Sequence, residues 1–136
     1  MKYLISLLLI SLCFAVNAQD RDEIIKKGIE VKRYYEQELE DGDSDYYLFK
    51  EEHFNFKGEI VELKEFNNKG KDVDIWFKYQ YDEIGQLIEE LELDAKGNQK
   101  ERIVYRYEKG LRIEKLYYDE KDRLRQRRKY EYEFRR

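Results

Sequence analysis

The sequence predicts an all-β protein: an antiparallel up-and-down meander of about eight strands, built from β-hairpin repeats, after an N-terminal signal peptide. Three observations lead to this prediction. Aromatic pairs recur every 25 or 26 residues, turn signals separate segments of strand length, and the links between those segments are short. A fixed period of this size is typical of repeat architectures. Because the links are short, each strand is expected to pair with its neighbours in sequence.

The N-terminus has the pattern of a secretory signal. Lys2 precedes an apolar run from Leu4 to Val16, and Ala18 completes a compact cleavage site before Gln19. The run is too short to cross about 30 Å of hydrocarbon as a helix. We therefore expect cleavage after Ala18.

The predicted domains are a signal peptide over residues 1–18 and an exported β-hairpin repeat domain over 19–136, in the periplasm or outside the cell. Cys13 is the only cysteine, and it follows Leu12, whereas a lipoprotein signal needs a small residue there. The mature domain is thus expected to lack disulfides and thiol nucleophiles. Charged residues make up 43% of the chain, but 13 tyrosines and seven phenylalanines, regularly placed, favour folding over disorder.

The first element is ambiguous, because residues 22–40 could form an amphipathic helix with Ile25, Ile29 and Tyr35 inward. Gly28 precedes Ile-Glu-Val much as Gly58 precedes Glu-Ile-Val, which favours a strand. The predicted strands cover residues 28–40, 45–56, 59–66, 71–81, 86–94, 98–108, 111–118 and 123–134.

The turns between strands have Asp or Asn at the first position and Gly at the fourth. This order in Asp82–Gly85, Asn67–Gly70 and Asp94–Gly97 suits a type I turn followed by a glycine with positive φ. Asp122 replaces glycine in the last copy, and Asp tolerates that region better than most residues. These acids and glycines are therefore interpreted as turn chemistry rather than catalytic groups.

The aromatic pairs lie two residues apart and so share one strand face. We expect them to form a continuous aromatic stripe, with Tyr79 opposite Ile88, Tyr105 opposite Ile113 and Phe54 opposite Val61, because aromatic and β-branched residues pair favourably. The tyrosines of the stripe are the candidate binding surface: Tyr79, Tyr81, Tyr105, Tyr107, Tyr130 and Tyr132.

Neither face of the predicted strands is cleanly apolar. In Leu87–Leu93, for example, Glu90 and Glu92 share one face. The pattern favours an extended twisted sheet held by aromatic and Lys/Glu ladders. It does not decide whether the sheet closes into a barrel. A continuous lipid-facing apolar band is not seen.

The stretch Tyr79-Gln80-Tyr81-Asp82-Glu83-Ile84-Gly85-Gln86-Leu87-Ile88 resembles the YD repeat of RHS proteins. The chain is also similar, over about 28–134, to the MORN-like repeats of YwqK-type antitoxin proteins. In large RHS proteins such repeats build a shell around a toxin, for which this chain has too few repeats. The resemblance implies a β-repeat architecture and, through the antitoxins, an inhibitory role.

Enzyme motifs are nearly absent from the sequence. His53 is the only histidine, Ser44 is the only serine after the predicted cleavage site, and nothing marks an oxyanion hole beside them. Adjacent carboxylates such as Glu51 and Glu52, or Glu89 and Glu90, would point to opposite faces of a strand. No catalytic residue and no cofactor are therefore predicted.

One acidic loop resembles a calcium site. Asp41, Asp43 and Asp45 alternate, and Glu52 is twelfth in the count, but Tyr46 stands at the sixth position, where a calcium loop needs glycine. A solvated hairpin loop is the favoured interpretation, with weak calcium binding as the alternative. No metal site is predicted.

The sequence thus predicts a non-enzymatic exported protein of the bacterial cell envelope, a structural or binding module with an aromatic stripe. Its partner would be a protein or glycan of the envelope, not nucleic acid, and it would not span the membrane. The alternative is an inhibitor, immunity or antitoxin-like protein whose acidic body binds a basic partner protein. Mutual burial of the tyrosines would remove them from either role.

The basic C-terminal segment allows two interpretations. Residues 121–136 hold eight basic against three acidic residues, a net charge of +5 in a chain of net −4. Charge on both faces of the last strand favours protection of an open sheet edge against pairing with other chains. A binding patch for a nucleic acid or an anionic glycan is the alternative.

Overall fold

The structure, a computed structural model, describes residues 18–40, 42 and 45–136. Its eight strands form one open antiparallel sheet in sequence order, so the predicted all-β meander is confirmed. Residues 1–17 of the predicted signal peptide lie outside the described residues. The elements are α1 (Ala18–Lys27), β1 (Val31–Glu36), β2 (Tyr47–Phe54), β3 (Ile60–Asn67), β4 (Asp72–Tyr81), β5 (Leu87–Leu93), β6 (Gln99–Glu108), β7 (Leu111–Tyr118) and β8 (Leu124–Lys129).

The ambiguous first region contains both a helix and a strand. Gly28 ends α1 with a φ of 63°, its N–H donates to the Ile25 carbonyl, and the Ile29 N–H donates to the Ile24 carbonyl. This left-handed cap needs a residue that tolerates positive φ. The predicted strand over 28–40 was too long, and the alternative helix over 22–40 was placed too far along the chain. Ile24 rather than Ile25 is buried.

Four of the six turns that join β2 to β8 share one geometry. In each, the side-chain oxygen of the first residue accepts hydrogen bonds from the backbone N–H groups two and four residues later. The fourth residue has a φ between 59° and 86°, as predicted for glycine and for Asp122. The four turns are Asn55–Gly58, Asp82–Gly85, Asp94–Gly97 and Asp119–Asp122.

The turn at Asn67–Gly70 differs from its prediction. Asn68 and Lys69 have φ values of 49° and 54°, so the turn is not of type I. Positive φ at both central residues gives a backbone twist that matches the twist of the flanking strands. The prediction failed because asparagine tolerates that region as well as it begins a type I turn.

All three predicted cross-strand pairs were wrong. Tyr79 lies opposite Glu90, Tyr105 opposite Lys115 and Phe54 opposite Ile60. In each hairpin a bulge beside the turn, which places two residues of one strand against one of its partner, shifts the register by one residue. This shift accounts for the whole difference at Phe54 and for one of the two residues of difference at Tyr79 and Tyr105. Two of these aromatic rings consequently face charged residues instead of β-branched ones.

The two sheet faces follow from the observed register. Face A is the face that carries Leu63, Phe77 and Tyr79, and face B is the opposite one, which carries Trp76 and Leu116. Helix α1 covers part of face A through Ile24. The residues of this core are Ile24, Phe54, Ile60 and Leu63, with Ile29, Phe77 and Tyr79 packed against them.

The sheet ends at β1 on one side and β8 on the other. All six residues of β8 are exposed. The predicted last strand over 123–134 was too long, because the strand ends at Lys129.

Candidate binding surface

The second tyrosine of each aromatic pair bonds to the backbone of the preceding hairpin. The hydroxyl groups of Tyr81, Tyr107 and Tyr132 donate to the carbonyl oxygens of Ile60, Leu87 and Arg112, at 2.7, 2.7 and 2.6 Å. Each acceptor lies two residues after a turn glycine, so the repeat places it in the same position every time. The constant spacing of tyrosine and glycine is the sequence signal for this bond.

These bonds engage the hydroxyl groups of Tyr81, Tyr107 and Tyr132 within the protein. Burial raises the pKa of Tyr81 to about 12, and the Glu59 carboxylate contributes in the same direction. A hydroxyl that donates to a carbonyl inside the fold is not free to bind a ligand, although its ring edge can still be contacted. The second tyrosines therefore hold neighbouring hairpins together.

Tyr105 is covered by cationic side chains. Its side chain is 7% exposed, and its hydroxyl donates to a Glu90 carboxylate oxygen at 3.0 Å. The Arg112 guanidinium lies 4.3 Å from the ring centroid and the Lys115 ammonium 5.5 Å from it. Burial raises the pKa of Tyr105, and the Glu90 carboxylate raises it further. This ring is part of the internal structure of the sheet.

Tyr79 is less enclosed than Tyr105. It is half-buried, its ring stacks on Phe77 with centroids 6.0 Å apart, and its hydroxyl has no hydrogen-bond partner among the described residues. Burial raises the pKa of this hydroxyl, and the Glu90 carboxylate raises it further.

Tyr130 lies just beyond β8, where its backbone N–H donates to the Ile113 carbonyl at 3.0 Å.

The expected continuous aromatic stripe is interrupted. Tyr79 and Tyr105 do share face A, but β5 lies between their strands and presents Glu90 and Glu92 on that face. Glu90, two residues beyond the expected Ile88, lies opposite Tyr79, and the register shift beside Asp82–Gly85 supplies one of those two residues.

A group of carboxylates borders the aromatic stack on face A. We call Phe77, Tyr79, Glu90, Glu92 and Glu101 the acidic-aromatic patch. Glu92 lies between Phe77 on β4 and Glu101 on β6, and Glu90 lies opposite Tyr79. Like charges directly opposite each other destabilise a sheet. Burial raises the pKa of Glu101, and the Glu92 and Glu90 carboxylates add to the effect.

Neighbouring groups compensate this charge in part. The Lys100 ammonium lies 2.7 Å from a Glu92 carboxylate oxygen, the Tyr105 hydroxyl donates to Glu90, and Lys115 lowers the pKa of Glu101. Sequence reasoning missed the patch because it requires the register across three strands. The alternating glutamates of β5 were the available signal.

The other chemical candidates are separated or internally bonded. His53 is half-buried in β2, with its Nε2 atom 2.5 Å from a Glu51 carboxylate oxygen, while Ser44 lies outside the described residues. Glu51 and Glu52 are split between the two faces as predicted, since Glu51 meets Arg33 and His53, whereas Glu52 accepts from Tyr34 at 2.8 Å.

The calcium interpretation rests mainly on Asp41 and Asp43, which lie outside the described residues. Glu52, its twelfth position, is buried beside the Lys50 ammonium at 2.7 Å. Within the described residues, no group of three His, Cys, Asp or Glu side chains is placed to hold a metal ion.

Comparisons with protein-family models, with curated proteins and with solved structures gave no match. In the part of the chain that the structure describes, no helix has the length and apolar character needed to cross a membrane.

Proposed function

We propose that this protein is an exported, non-enzymatic binding module of the cell envelope whose acidic-aromatic patch binds cationic side chains of a protein partner. The observation that carries the proposal is the position of Glu92, directly opposite Glu101 and beside the Phe77–Tyr79 stack. Export is supported by the apolar run and compact cleavage site at the N-terminus.

The patch combines two features that favour a guanidinium or ammonium group. Two carboxylates on facing strands repel each other, and a cation between them removes that repulsion while gaining charge-assisted hydrogen bonds. The adjacent Tyr79 ring offers a π-face on which a cation gains about 0.5–2 kcal/mol, depending on desolvation. Tyr79 also has a free hydroxyl among the described residues to accept a further hydrogen bond.

Charge neutralisation at the patch tests this proposal. Glu92→Gln with Glu101→Gln should weaken binding of a fluorescent arginine-rich peptide about tenfold, measured as the dissociation constant by anisotropy. The control is Glu131→Gln with Glu133→Gln, which changes the net charge equally on an exposed tail. If both double variants weaken binding to the same extent, the peptide senses net charge and the patch is not its site.

The aromatic component is tested separately. Tyr79→Leu keeps an apolar side chain over the core but removes the ring face, so peptide affinity should fall several-fold while the melting temperature changes little. Unchanged affinity would mean that the carboxylates alone attract the cation.

The inhibitor hypothesis is the second candidate, favoured by the same acidic patch and by the resemblance to antitoxin repeats. Envelope extracts passed over the immobilised mature protein discriminate the two. One basic protein retained at a fixed stoichiometry, and lost with the double Gln variant, favours inhibition. Retention of several basic proteins without a fixed stoichiometry, again lost with the double Gln variant, favours the binding module.

A further inference from the structure

The outer edge of β8 is open in the described part of the chain. β8 is the last strand of the sheet, and each of its residues is exposed. The segment after it stays beside β7, because the Tyr130 N–H donates to the Ile113 carbonyl and the Tyr132 hydroxyl to the Arg112 carbonyl. The tail therefore continues along the inner side and leaves the outer edge uncovered.

The direction of the backbone groups on this edge follows from the antiparallel pattern. Residues of an antiparallel strand alternate between bonding to their neighbour strand and pointing away from it. Tyr130 bonds to β7, and β8 pairs regularly with β7 from Gln126 to Lys129. The N–H and C=O groups of Arg127 and Lys129 therefore point outward.

The same edge has an excess of positive charge. Glu114 lies opposite Lys129. Its carboxylate oxygens also lie 3.7 Å from the Arg127 guanidinium and 3.2 Å from the Arg106 guanidinium. Arg128 points to face A, where its guanidinium lies 5.6 Å from the Tyr117 ring centroid. A carboxylate oxygen of Asp119 likewise lies 2.6 Å from the Arg125 guanidinium. Two carboxylates thus face the four cations of β8, which are Arg125, Arg127, Arg128 and Lys129.

We propose that the outer edge of β8 binds an extended, acidic segment of a partner protein, which adds to the sheet as a further strand. Strand addition uses main-chain hydrogen bonds for affinity and side chains for specificity. An anionic glycan would match the charge but has no use for a row of outward amide groups, so the backbone geometry favours a peptide.

The charge also determines which strands are rejected. A second copy could offer its own β8 or its β1, and β1 carries Lys32 and Arg33. Either pairing places cations against cations, which opposes assembly of the protein with itself. The edge therefore excludes basic strands and admits acidic ones, at a site separate from the acidic-aromatic patch.

A pair of variants at one position separates backbone pairing from charge. Arg127→Pro and Arg127→Thr remove the same charge, but only proline removes the outward N–H, and β7 does not use that N–H. The probe is a labelled peptide of alternating Glu and Val, with alternating Lys and Val as its control. All variants are made in the Glu92→Gln and Glu101→Gln background, so that the acidic-aromatic patch does not bind the basic control peptide. In that background we expect the chain to bind the acidic peptide only, and Arg127→Pro to bind it about fivefold more weakly than Arg127→Thr, the value of roughly one hydrogen bond.

Heparin provides the complementary measurement. Heparin should bind Arg127→Pro and Arg127→Thr with equal affinity, because its binding depends on charge alone and both variants lose the same charge. Equal affinity of both variants for the acidic peptide would overturn strand addition and leave a polyanion patch. The pair Lys129→Pro and Lys129→Thr repeats the comparison at the second outward residue, so the proposal stays testable if Arg127→Pro does not fold by circular dichroism.

Discussion

The two halves of the sheet exclude water in different ways. At β2 to β4, helix α1 lays Ile24 over Phe54, Ile60 and Leu63, an apolar cluster of the ordinary kind. No element of the described structure covers β6 to β8, yet Leu116 there is only 1% exposed, less than any residue of the helix-covered cluster.

Long cationic side chains explain the burial in the uncovered half. Leu116 lies between Val104 and Arg127, and in the same hairpin the Arg102 guanidinium stands 4.3 Å from the Tyr118 ring centroid. Arginine and lysine cover apolar surface with their methylene stems while the charged group stays in water. A sheet of one layer can therefore bury side chains without a second layer, provided that cations and rings alternate across its strands.

The largest expected effect tests whether the uncovered half has a real core. Leu116→Ala should lower the free energy of unfolding by about 3 kcal/mol, as for a fully buried leucine. Leu124→Ala, on the exposed edge strand, should cost under about 1 kcal/mol. Urea unfolding followed by circular dichroism measures both, and similar values would mean that charged side chains do not shield Leu116.

The helix-covered half is tested by two adjacent isoleucines. Ile24 is 8% exposed and Ile25 is 46% exposed, so the same substitution to alanine removes very different contacts. Ile24→Ala should cost about 2–3 kcal/mol and Ile25→Ala at most about 1 kcal/mol in the same assay. A negligible cost for Ile24→Ala would show that α1 is not docked on face A.

The turns of the two halves can be compared through Gly70 and Gly110, which have nearly the same backbone conformation. Gly70 and Gly110 have φ values of 80° and 78°, which alanine adopts with strain. A Cβ atom at Gly70 would lie 2.9 Å from the Leu48 carbonyl oxygen, whereas none would be contacted at Gly110. Gly110→Ala should therefore cost about 1 kcal/mol and Gly70→Ala clearly more. Thermal unfolding of both variants measures this. An equal loss of stability in the two would mean that the Leu48 carbonyl does not lie against Gly70.

The tyrosine bonds to the backbone should be equivalent in both halves. Tyr81→Phe and Tyr107→Phe each remove a bond of 2.7 Å to a carbonyl and should each cost about 1 kcal/mol. Tyr132→Phe should cost less, because its ring is more exposed and solvent can replace the bond. Chemical denaturation of the three variants side by side measures this, and a strongly unequal pair at 81 and 107 would contradict a repeated structural role.

The fold could be predicted from the sequence because the signals that specify the hairpins are local. The turn acids at Asp82 and Asp94 bond within four residues of themselves, so their spacing alone predicts the hairpins. The acidic-aromatic patch depends instead on which residues face each other across strands. A single bulge beside Asp82–Gly85 moved Glu90 opposite Tyr79, and no local pattern specified that bulge.

The choice between helix and strand at residues 22–40 could not be made from the sequence because it, too, depends on contacts with distant residues. Helix α1 is held by tertiary contacts rather than by its own propensity: Ile24 packs on the sheet, and the Arg21 guanidinium donates to the Lys57 carbonyl at 2.9 Å. A ten-residue helix is marginal in water without such packing. Its sequence therefore did not distinguish it from the strand that follows.

The smallest expected effect on stability concerns the edge of the uncovered half. Arg125→Thr, Arg127→Thr and Arg128→Thr together remove exposed ion pairs to Asp119 and Glu114, which contribute little to folding. The fold should stay intact, but the variant should associate, because the cations that oppose strand pairing are gone while the outward N–H and C=O groups remain. Sedimentation velocity over a range of concentrations measures this, and the control for the three lost charges is Lys121→Thr with Arg135→Thr and Arg136→Thr, all at exposed positions outside β8. Should the triple variant stay monomeric while losing retention on heparin, the arginines form an anionic-ligand site and do not protect the edge.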